Sequence, residues 1–142
     1  MQHSKKVACE LYQNLGKLFY AVAMADKSVH SKEIDKLRSF IRKYWLEVDE
    51  VEDEYGEDAA FQIETVFDWH LEYEKDGDES FEEFQEFYKA HQLKFTPFIK
   101  VLILDTANAI ANSFSGTNKA ELVLLGKLKL LLSQKLENSN RL

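Results

Sequence analysis

The stretch from Leu18 to Glu33 reads Leu-Phe-Tyr-Ala-Val-Ala-Met-Ala-Asp-Lys-Ser-Val-His-Ser-Lys-Glu. Its first half is apolar on every side of a helix, which is typical of a buried helix, and its alanines let a second helix approach closely. Asp26 and a short polar turn then precede a new helix, in whose first turn the charge of Glu33 favours the helix dipole. A looser copy of this pattern runs from Thr106 to Glu121 and aligns without a gap. The chain is therefore predicted to hold two related helical hairpins.

Length and composition favour a single helical domain. A chain of 142 residues has the size of one domain and can bury a core of its own. With one proline and five glycines, it holds few residues that interrupt helices. We predict an all-α fold, a single-domain, pseudo-twofold helical bundle of about six to seven helices over residues 1–142. The repeat units are placed at about 4–46 and 97–137, with an acidic middle segment at 47–92 between them.

Apolar residues at helical spacing, together with capping signals, give the expected helix boundaries. The helices are predicted at about Ser4–Ala25, Ser31–Leu46, Asp58–Glu74, from Ser80 onward, Pro97–Ser113 and Lys119–Leu136. The start at Ser80 is inferred from a capping box in which it pairs with Glu83. Periodicity places Tyr73 and Leu122 on inner helix faces and Glu64 on an outer face.

Nothing in the sequence indicates secretion or a membrane span. Cys9 is the only cysteine, so the chain can form neither an internal disulfide nor a cysteine-based metal cluster. The first residues, Met-Gln-His-Ser-Lys-Lys, lack the apolar core of a secretion signal. The longest apolar run, Phe98–Phe114, is interrupted by charged and amide side chains and is too polar to cross a membrane. We predict a cytoplasmic protein.

Acidic residues are concentrated in the middle of the chain. The formal net charge is −7, yet the segment Glu47–Glu86 alone holds 18 acidic residues and a single basic one, Lys75. This segment would repel phosphates, so we predict no nucleic-acid partner. A protein partner is expected instead, and the acidic residues predicted to contact it are Glu72, Asp76, Asp78, Glu79, Glu82 and Glu83.

Two stretches carry the oxygen ligands that hard cations such as Ca²⁺ prefer. Asp26 and Glu33 are spaced to face each other across their turn, although Asp26 can equally satisfy backbone donors there while Glu33 caps the next helix. The stretch Glu72–Phe84 resembles part of an EF-hand loop in two registers. One register puts Gln85 at the bidentate position, and the other requires the long side chains of Glu72 and Glu74 as ligands. We interpret this stretch as a solvated acidic turn.

The sequence contains no phosphate loop, nucleophile elbow, zinc-protease motif or glycine-rich dinucleotide turn. We therefore predict no catalytic residue and a protein that is not an enzyme. His70 and Glu74 share a helix face, which suits a transition metal, but a histidine at the edge of the core is the simpler interpretation. An enzyme would need a polar pocket lined by His70 and nearby carboxylates.

The repeated turn resembles the TerB-like domain family, which is named for tellurite-resistance proteins. The family signature is an alanine-rich helix end, Ala-Asp-Gly-x-Val, a short polar segment and a glutamate that opens the next helix. Here it reads Ala25-Asp26-Lys27-Ser28-Val29-His30-Ser31-Lys32-Glu33, with lysine at the glycine position. The second copy, which ends at Glu121 and has Phe114 at the position of Asp26, fits the tendency of this family to repeat the unit.

The resemblance implies an all-helical, pseudo-twofold cytoplasmic protein of bacterial type, tied to stress or tellurite resistance, with membrane-associated partners in some members. It also implies that acidic residues of the signature turns bind metal, which here points to Asp26, Glu33 and Glu121. The leading hypothesis is a non-enzymatic TerB-like binding module that responds to a divalent cation such as Ca²⁺. The alternative is a structural interaction domain without a metal role, whose acidic middle docks a basic partner or its own basic second helix.

Overall fold

A computed structural model describes residues 2–25, 31–45, 59–113 and 119–133, which form a bundle of α-helices. In chain order the helices are α1 (Gln2–Ala23), α2 (Ser31–Trp45), α3 (Ala59–Glu72), α4 (Gly77–Ala90), α5 (Pro97–Ser113) and α6 (Lys119–Leu132), with a 3-10 turn at Gln92–Lys94 between α4 and α5. No strand occurs in these ranges, and the prediction of a single all-α bundle is confirmed. None of the described helices combines the length and apolar character that a membrane span needs.

Helix α1 lies at the centre of the bundle. It packs against α3, α4 and α5, and more lightly against α6. Every side chain from Leu18 to Ala23 is buried, as expected for a helix end that is apolar on all sides. Gly16 allows α3 to approach closely, because a Cβ atom at this position would lie 2.8 Å from the carbonyl oxygen of Ile63 and 2.8 Å from Cβ of Val66.

Helix α2 packs against α3 and α5. The indole Nε1–H of Trp45 donates a buried hydrogen bond of 2.9 Å to Oγ1 of Thr106 on α5. On the α3 side, Nη2 of Arg38 lies 2.7 Å from Oδ1 of Asp68, and Nε of Arg42 lies 2.8 Å from Oε2 of Glu64. Part of the acidic middle segment thus contacts the chain's own basic second helix.

The placement of Glu64 on an outer helix face is wrong. Its side chain is 11% exposed, because α2 covers this side of α3 and Arg42 supplies the opposite charge. Both guanidinium nitrogens that contact it, Nε at 2.8 Å and Nη2 at 3.3 Å, donate to its carboxylate. A paired carboxylate of this kind is compatible with burial, whereas an unpaired one is not.

The predicted start of α4 at Ser80 is also wrong. The helix begins at Gly77, and Asp76 is its N-cap, with an extended backbone and with Oδ2 accepting a hydrogen bond of 2.9 Å from the N–H of Glu79. Ser80 lies inside the first turn, where its hydroxyl donates to the carbonyl oxygen of Asp76. The pair Asp76 and Glu79 has the same spacing as Ser80 and Glu83, so the sequence offers two caps and the earlier one is used.

Two predicted inner residues lie on the surface instead. Tyr73 is 60% exposed, because α3 ends at Glu72 and Tyr73 belongs to the following turn. Leu122 is 59% exposed, because the buried stripe of α6 includes the preceding residue, Glu121, instead. The rest of that stripe consists of Leu125, Leu128, Leu131 and Leu132, and Leu136 lies outside the described residues.

Candidate functional site

The residues predicted to bind a cation are only partly within the described structure. Asp26 lies outside it, and Glu33 belongs to α2 but its side chain is not among those described. Glu121 is completely buried in the first turn of α6. Within the described ranges, no group of three or more histidine, cysteine, aspartate or glutamate side chains is placed to share a metal ion. The cation site at these three residues stays a prediction.

The backbone between α3 and α4 differs from an EF-hand loop. Helix α3 ends at Glu72 and α4 starts at Gly77, so the connection is much shorter than the twelve-residue loop that an EF-hand needs. The chain reverses at Glu74, whose φ of 50° lies in the left-handed region. The side chains of Glu72, Glu74 and Asp76 are exposed, which agrees with the interpretation of a solvated acidic turn.

The outer side of α4 is lined with carboxylates. All six residues predicted to contact a partner are exposed. Glu72 is the last residue of α3, Asp76 caps α4, and the other four lie on α4 itself. We call the exposed acids of α4 itself, Asp78, Glu79, Glu82, Glu83 and Glu86, the acidic face. Glu83 forms an ion pair of 3.0 Å with Nζ of Lys17 on α1.

A groove with a mixed polar and apolar lining flanks the acidic face on the side of α6. It holds two adjoining cavities of about 540 and 550 Å³ that share Asp78, Leu124 and Lys127. The larger apolar side chains that line it are Met24, Phe81, Val123, Leu124, Leu130 and Leu131. We call this feature the α4–α6 groove. Grooves that combine apolar side chains with polar residues are typical of protein-interaction sites.

Helix α6 provides the exposed apolar surface of this groove. Val123 is 51% exposed and Leu130 is 70% exposed, although both are large apolar side chains. The sequence indicates this surface through apolar residues on every side of α6, although helical periodicity does not tell which of these sides is exposed. Apolar residues occur all around α6, as expected of a fully covered helix. Its described contacts are nevertheless limited to α5, more lightly α1, and α4, where the hydroxyl of Tyr88 donates a hydrogen bond of 3.4 Å to the carbonyl oxygen of Leu132.

A separate, polar cavity of about 260 Å³ flanks the acidic face on the side of α1 and α3. It is lined by Lys17, Trp69, His70, Lys75, Asp76, Glu79, Ser80 and Glu83, and we call it the His70 pocket. Tyr20 holds the turn beside it, because its hydroxyl donates a hydrogen bond of 2.6 Å to the carbonyl oxygen of Lys75. Burial, followed by the nearby charges of Glu74 and Asp76, raises the pKa of the Tyr20 hydroxyl, which stays protonated as the donor.

His70 is 6% exposed, and its imidazole contacts the rings of Tyr20 and Trp69 at centroid distances of 5.5 and 5.4 Å. Nδ1 lies 3.1 Å from the carbonyl oxygen of Val66, so Nδ1 carries a proton and donates it. Burial lowers the pKa of His70 below 6.5, and Lys17 acts in the same direction. At neutral pH the ring is therefore neutral, and Nε2 is a hydrogen-bond acceptor on the side of the pocket.

An enzyme is expected to need a polar pocket lined by His70 and nearby carboxylates, and the His70 pocket has this lining but not the hydrogen bonds of a nucleophile and its base. It combines His70 with the carboxylates of Asp76, Glu79 and Glu83. The hydroxyl of Ser80, however, donates to the carbonyl oxygen of Asp76 at 2.9 Å and so does not donate to the imidazole. Nucleophilic catalysis needs a hydroxyl or thiol bonded to its base. The arrangement instead suits the binding of a hydrogen-bond donor.

The protein is an all-α bundle in which the carboxylates of the acidic face lie between the α4–α6 groove and the His70 pocket. Comparisons with models of protein families, with curated proteins and with solved structures find no match to this chain. The resemblance to the TerB-like family therefore stays a prediction from the repeated turn.

Proposed function

We propose that the protein is a non-enzymatic interaction module that docks a basic, amphipathic helical segment of a protein partner on α4. The observation that supports this most is the position of the acidic face directly beside the α4–α6 groove. A segment lying along the groove would place apolar side chains on Val123, Leu124 and Leu130. Its basic side would then meet Asp78 and Glu82. Helix-in-groove recognition of this kind combines apolar anchors with charge complementarity.

Charge supports a basic partner over an acidic one. Eight exposed carboxylates lie between Glu72 and Glu86, and Lys75 is the one basic residue in that stretch. Lys89 and Lys127 lie at the groove but do not balance this excess. Complementary charges raise the association rate and suppress binding of partners with the same charge. The ion pair of Lys17 with Glu83 leaves the carboxylates of Asp78, Glu79, Glu82 and Glu86 available to a partner.

A labelled amphipathic helical peptide with leucines on one face and lysines on the other tests this proposal by fluorescence anisotropy. Leu130→Gln is expected to weaken binding by roughly tenfold, because an anchor in the groove is lost. Phe98→Gln is the matched control, since Phe98 on α5 is 63% exposed but does not line the groove. Equal losses in the two variants would contradict a docking site in the groove.

The charge component has its own test with the same peptide. Glu82→Lys should abolish most binding, whereas Asp105→Lys, which reverses an exposed acid on α5, should change it little. Binding of the wild-type protein should weaken as NaCl rises from about 0.05 to about 0.5 M, because exposed charges are screened over that range. A peptide that does not bind even at low salt would remove the basis for this function.

A divalent-cation response, as in a TerB-like module, is a second candidate. The position of Glu121 supports it, because this acid lies in the first turn of α6, where the second copy of the repeated turn ends, as Glu33 ends the first copy. In this candidate Asp26, Glu33 and Glu121 would share one cation. Ca²⁺ should then raise the melting temperature, and Asp26→Asn should abolish that increase while Asp35→Asn, an exposed residue on α2, preserves it. A melting temperature that is indifferent to divalent ions would exclude this candidate.

A further inference from the structure

The His70 pocket is lined by a ring with one nitrogen that bonds to no described residue. His70 is 94% removed from solvent, and Nδ1 is already bonded to the carbonyl oxygen of Val66. The ring makes no other hydrogen bond among the described residues, so Nε2 is left to the cavity that the ring lines. Nε2 of the neutral ring is therefore an acceptor for a donor that enters the pocket.

The charges around Nε2 favour a cationic donor. Asp76, Glu79 and Glu83 line the pocket, against Lys17 and Lys75. Lys17 is paired with Glu83 at 3.0 Å, which leaves Asp76 and Glu79 to face the cavity with a carboxylate excess. An anion would need His70 protonated, and burial beside Lys17 opposes that protonation.

An aromatic wall completes the pocket. Trp69 is 48% exposed and Tyr73 is 60% exposed, and their rings lie with centroids 4.8 Å apart. Nζ of Lys75 lies 4.8 Å from the centroid of the Trp69 ring, so a cation already occupies one face of this indole. Exposed tryptophan and tyrosine side chains are enriched at the energetic centres of protein interfaces.

We propose that the His70 pocket binds the guanidinium group of an arginine side chain, presented by the basic partner that docks on α4. The guanidinium donates to Nε2 of His70 and to the carboxylate of Glu79, and its plane stacks on Trp69. This inference deepens the proposed function and depends on it for the source of the arginine. The pocket and the α4–α6 groove lie on opposite flanks of the acidic face. An arginine from the part of the partner next to the docked segment therefore reaches the pocket across α4.

Arginine fits this pocket better than lysine for reasons of geometry. A guanidinium is planar and has five N–H donors, so it can serve Nε2 and a carboxylate at once while it stacks on an indole. An ammonium group lacks a planar face, and Lys75 already supplies one at Trp69. Lys75 therefore competes with the incoming arginine, both for the ring and through its charge.

The direct test uses N-acetyl-arginine methylamide and its neutral isostere, the citrulline derivative, as probes. Binding is followed by NMR through the His70 ring protons and the Trp69 indole N–H. The arginine probe should shift both signals in a saturable manner, and the citrulline probe should bind at least about tenfold more weakly, because charge-assisted hydrogen bonds are lost. Equal shifts from the two probes, or shifts at Trp69 without any at His70, would overturn the proposal.

Three exposed positions provide variants that leave the core intact. Glu79→Gln should lower the affinity for the arginine probe by about tenfold. Glu82→Gln, the same change on the groove side of α4, should change that affinity by less than about twofold. Lys75→Ala should tighten binding, because it removes the competing cation. If Lys75→Ala weakens binding, or if the two glutamine variants behave alike, the pocket is not the site.

Protonation offers an independent check on the acceptor role of Nε2. The groups around the ring are Lys17 and Tyr20 on α1, Trp69 on α3, Lys75 and Asp76 in the turn, and Glu79, Ser80 and Glu83 on α4. Lowering the pH until His70 takes up a proton should expel the arginine probe, because Nε2 then carries a donor and a positive charge. A probe affinity that does not change while the His70 signals titrate would contradict the hydrogen bond.

The outcomes separate this inference from the proposed function. The lysine-based peptide that tests the groove contains no arginine, and its contacts are with α6 and Glu82. Loss of arginine selectivity with intact peptide binding would refute the pocket alone. Arginine binding without peptide binding would refute the docking of a partner in the groove and leave the pocket as a site for free arginine-like ligands.

Discussion

At the residue scale, Thr106 shows how much depends on one buried hydroxyl group. It is fully buried, accepts the indole N–H of Trp45 at 2.9 Å and donates to the carbonyl oxygen of Leu102 at 2.7 Å. Thr106→Val keeps the shape but leaves the indole donor without an acceptor, so the free energy of unfolding should fall by about 1–3 kcal/mol. Thr106→Ser keeps the hydroxyl and should cost about 0.8 kcal/mol for the missing methyl group. Urea unfolding measures both, and a more stable valine variant would contradict the role of this bond.

His70 makes a prediction about pH at the same scale. Because burial lowers the pKa of His70 in the folded state below 6.5, the unfolded state takes up the proton first as the pH falls. The stability that comes from the neutral ring is complete above about pH 6.5 and is lost as the pH falls through the lowered pKa, by up to about 1.4 kcal/mol per pH unit. Urea unfolding between about pH 7.5 and 5.5 should show a shallower dependence in His70→Gln than in the wild type. If the free energy of unfolding depended on pH equally in both proteins, His70 would not contribute to the pH dependence of stability.

At the element scale, the contact between α1 and α3 is set by a glycine. A Cβ atom on Gly16 would lie 2.8 Å from the backbone oxygen of Ile63 and from Cβ of Val66, and neither atom can move without shifting α3. Gly16→Ala should therefore lower the free energy of unfolding by about 1–3 kcal/mol, although alanine favours the helix. Gly126→Ala on α6 meets no atom within 4 Å and should raise stability by about 0.5–1 kcal/mol. Thermal unfolding of the two variants should show opposite signs, and a neutral Gly16→Ala would show that the helices can separate freely.

Periodicity predicts the existence of these helices but not all of their ends or faces. The helix start at Gly77 depends on a choice between two caps of equal spacing, and only the tertiary path of the turn selects Asp76 over Ser80. Glu64 is polar by sequence and buried in the fold, because Arg42 from a distant part of the chain pairs with it. Leu122 is apolar and exposed, because no described element covers that side of α6. Each of these differences arises from a neighbour that local spacing does not specify.

At the scale of the whole molecule, the acidic excess of the middle segment is visible in the sequence, but the candidate sites that flank it are not. The exposure of the predicted partner-binding acids follows from their charge. The groove and the pocket depend on the packing of α4 against α1 and on its closeness to α6, which pairs Lys17 with Glu83 and places Phe81 and Leu124 around one cavity. These pairs are far apart in the chain. No local pattern therefore predicts them, and a carboxylate cluster alone does not distinguish a solvated surface from a binding surface.

The acidic face leads to a prediction in which stability and binding change in opposite directions. Glu82 lies one helical turn from Asp78, Glu79 and Glu86, and all four side chains are exposed. Repulsion between like charges at this spacing costs about 0.2–0.5 kcal/mol per pair, so Glu82→Gln should raise the free energy of unfolding by about 0.5–1 kcal/mol at low salt. At about 0.5 M NaCl the gain should disappear, because the screening length is then shorter than the distance between the charges. Asp105→Asn is the matched control, since its neighbours one turn away, Val101 and Ala109, are uncharged.

The proposed binding role of the acidic face predicts that Glu82→Gln, although more stable in urea unfolding, binds the basic peptide less tightly than the wild type. A variant that gains both stability and affinity would show that the carboxylates do not contact the partner.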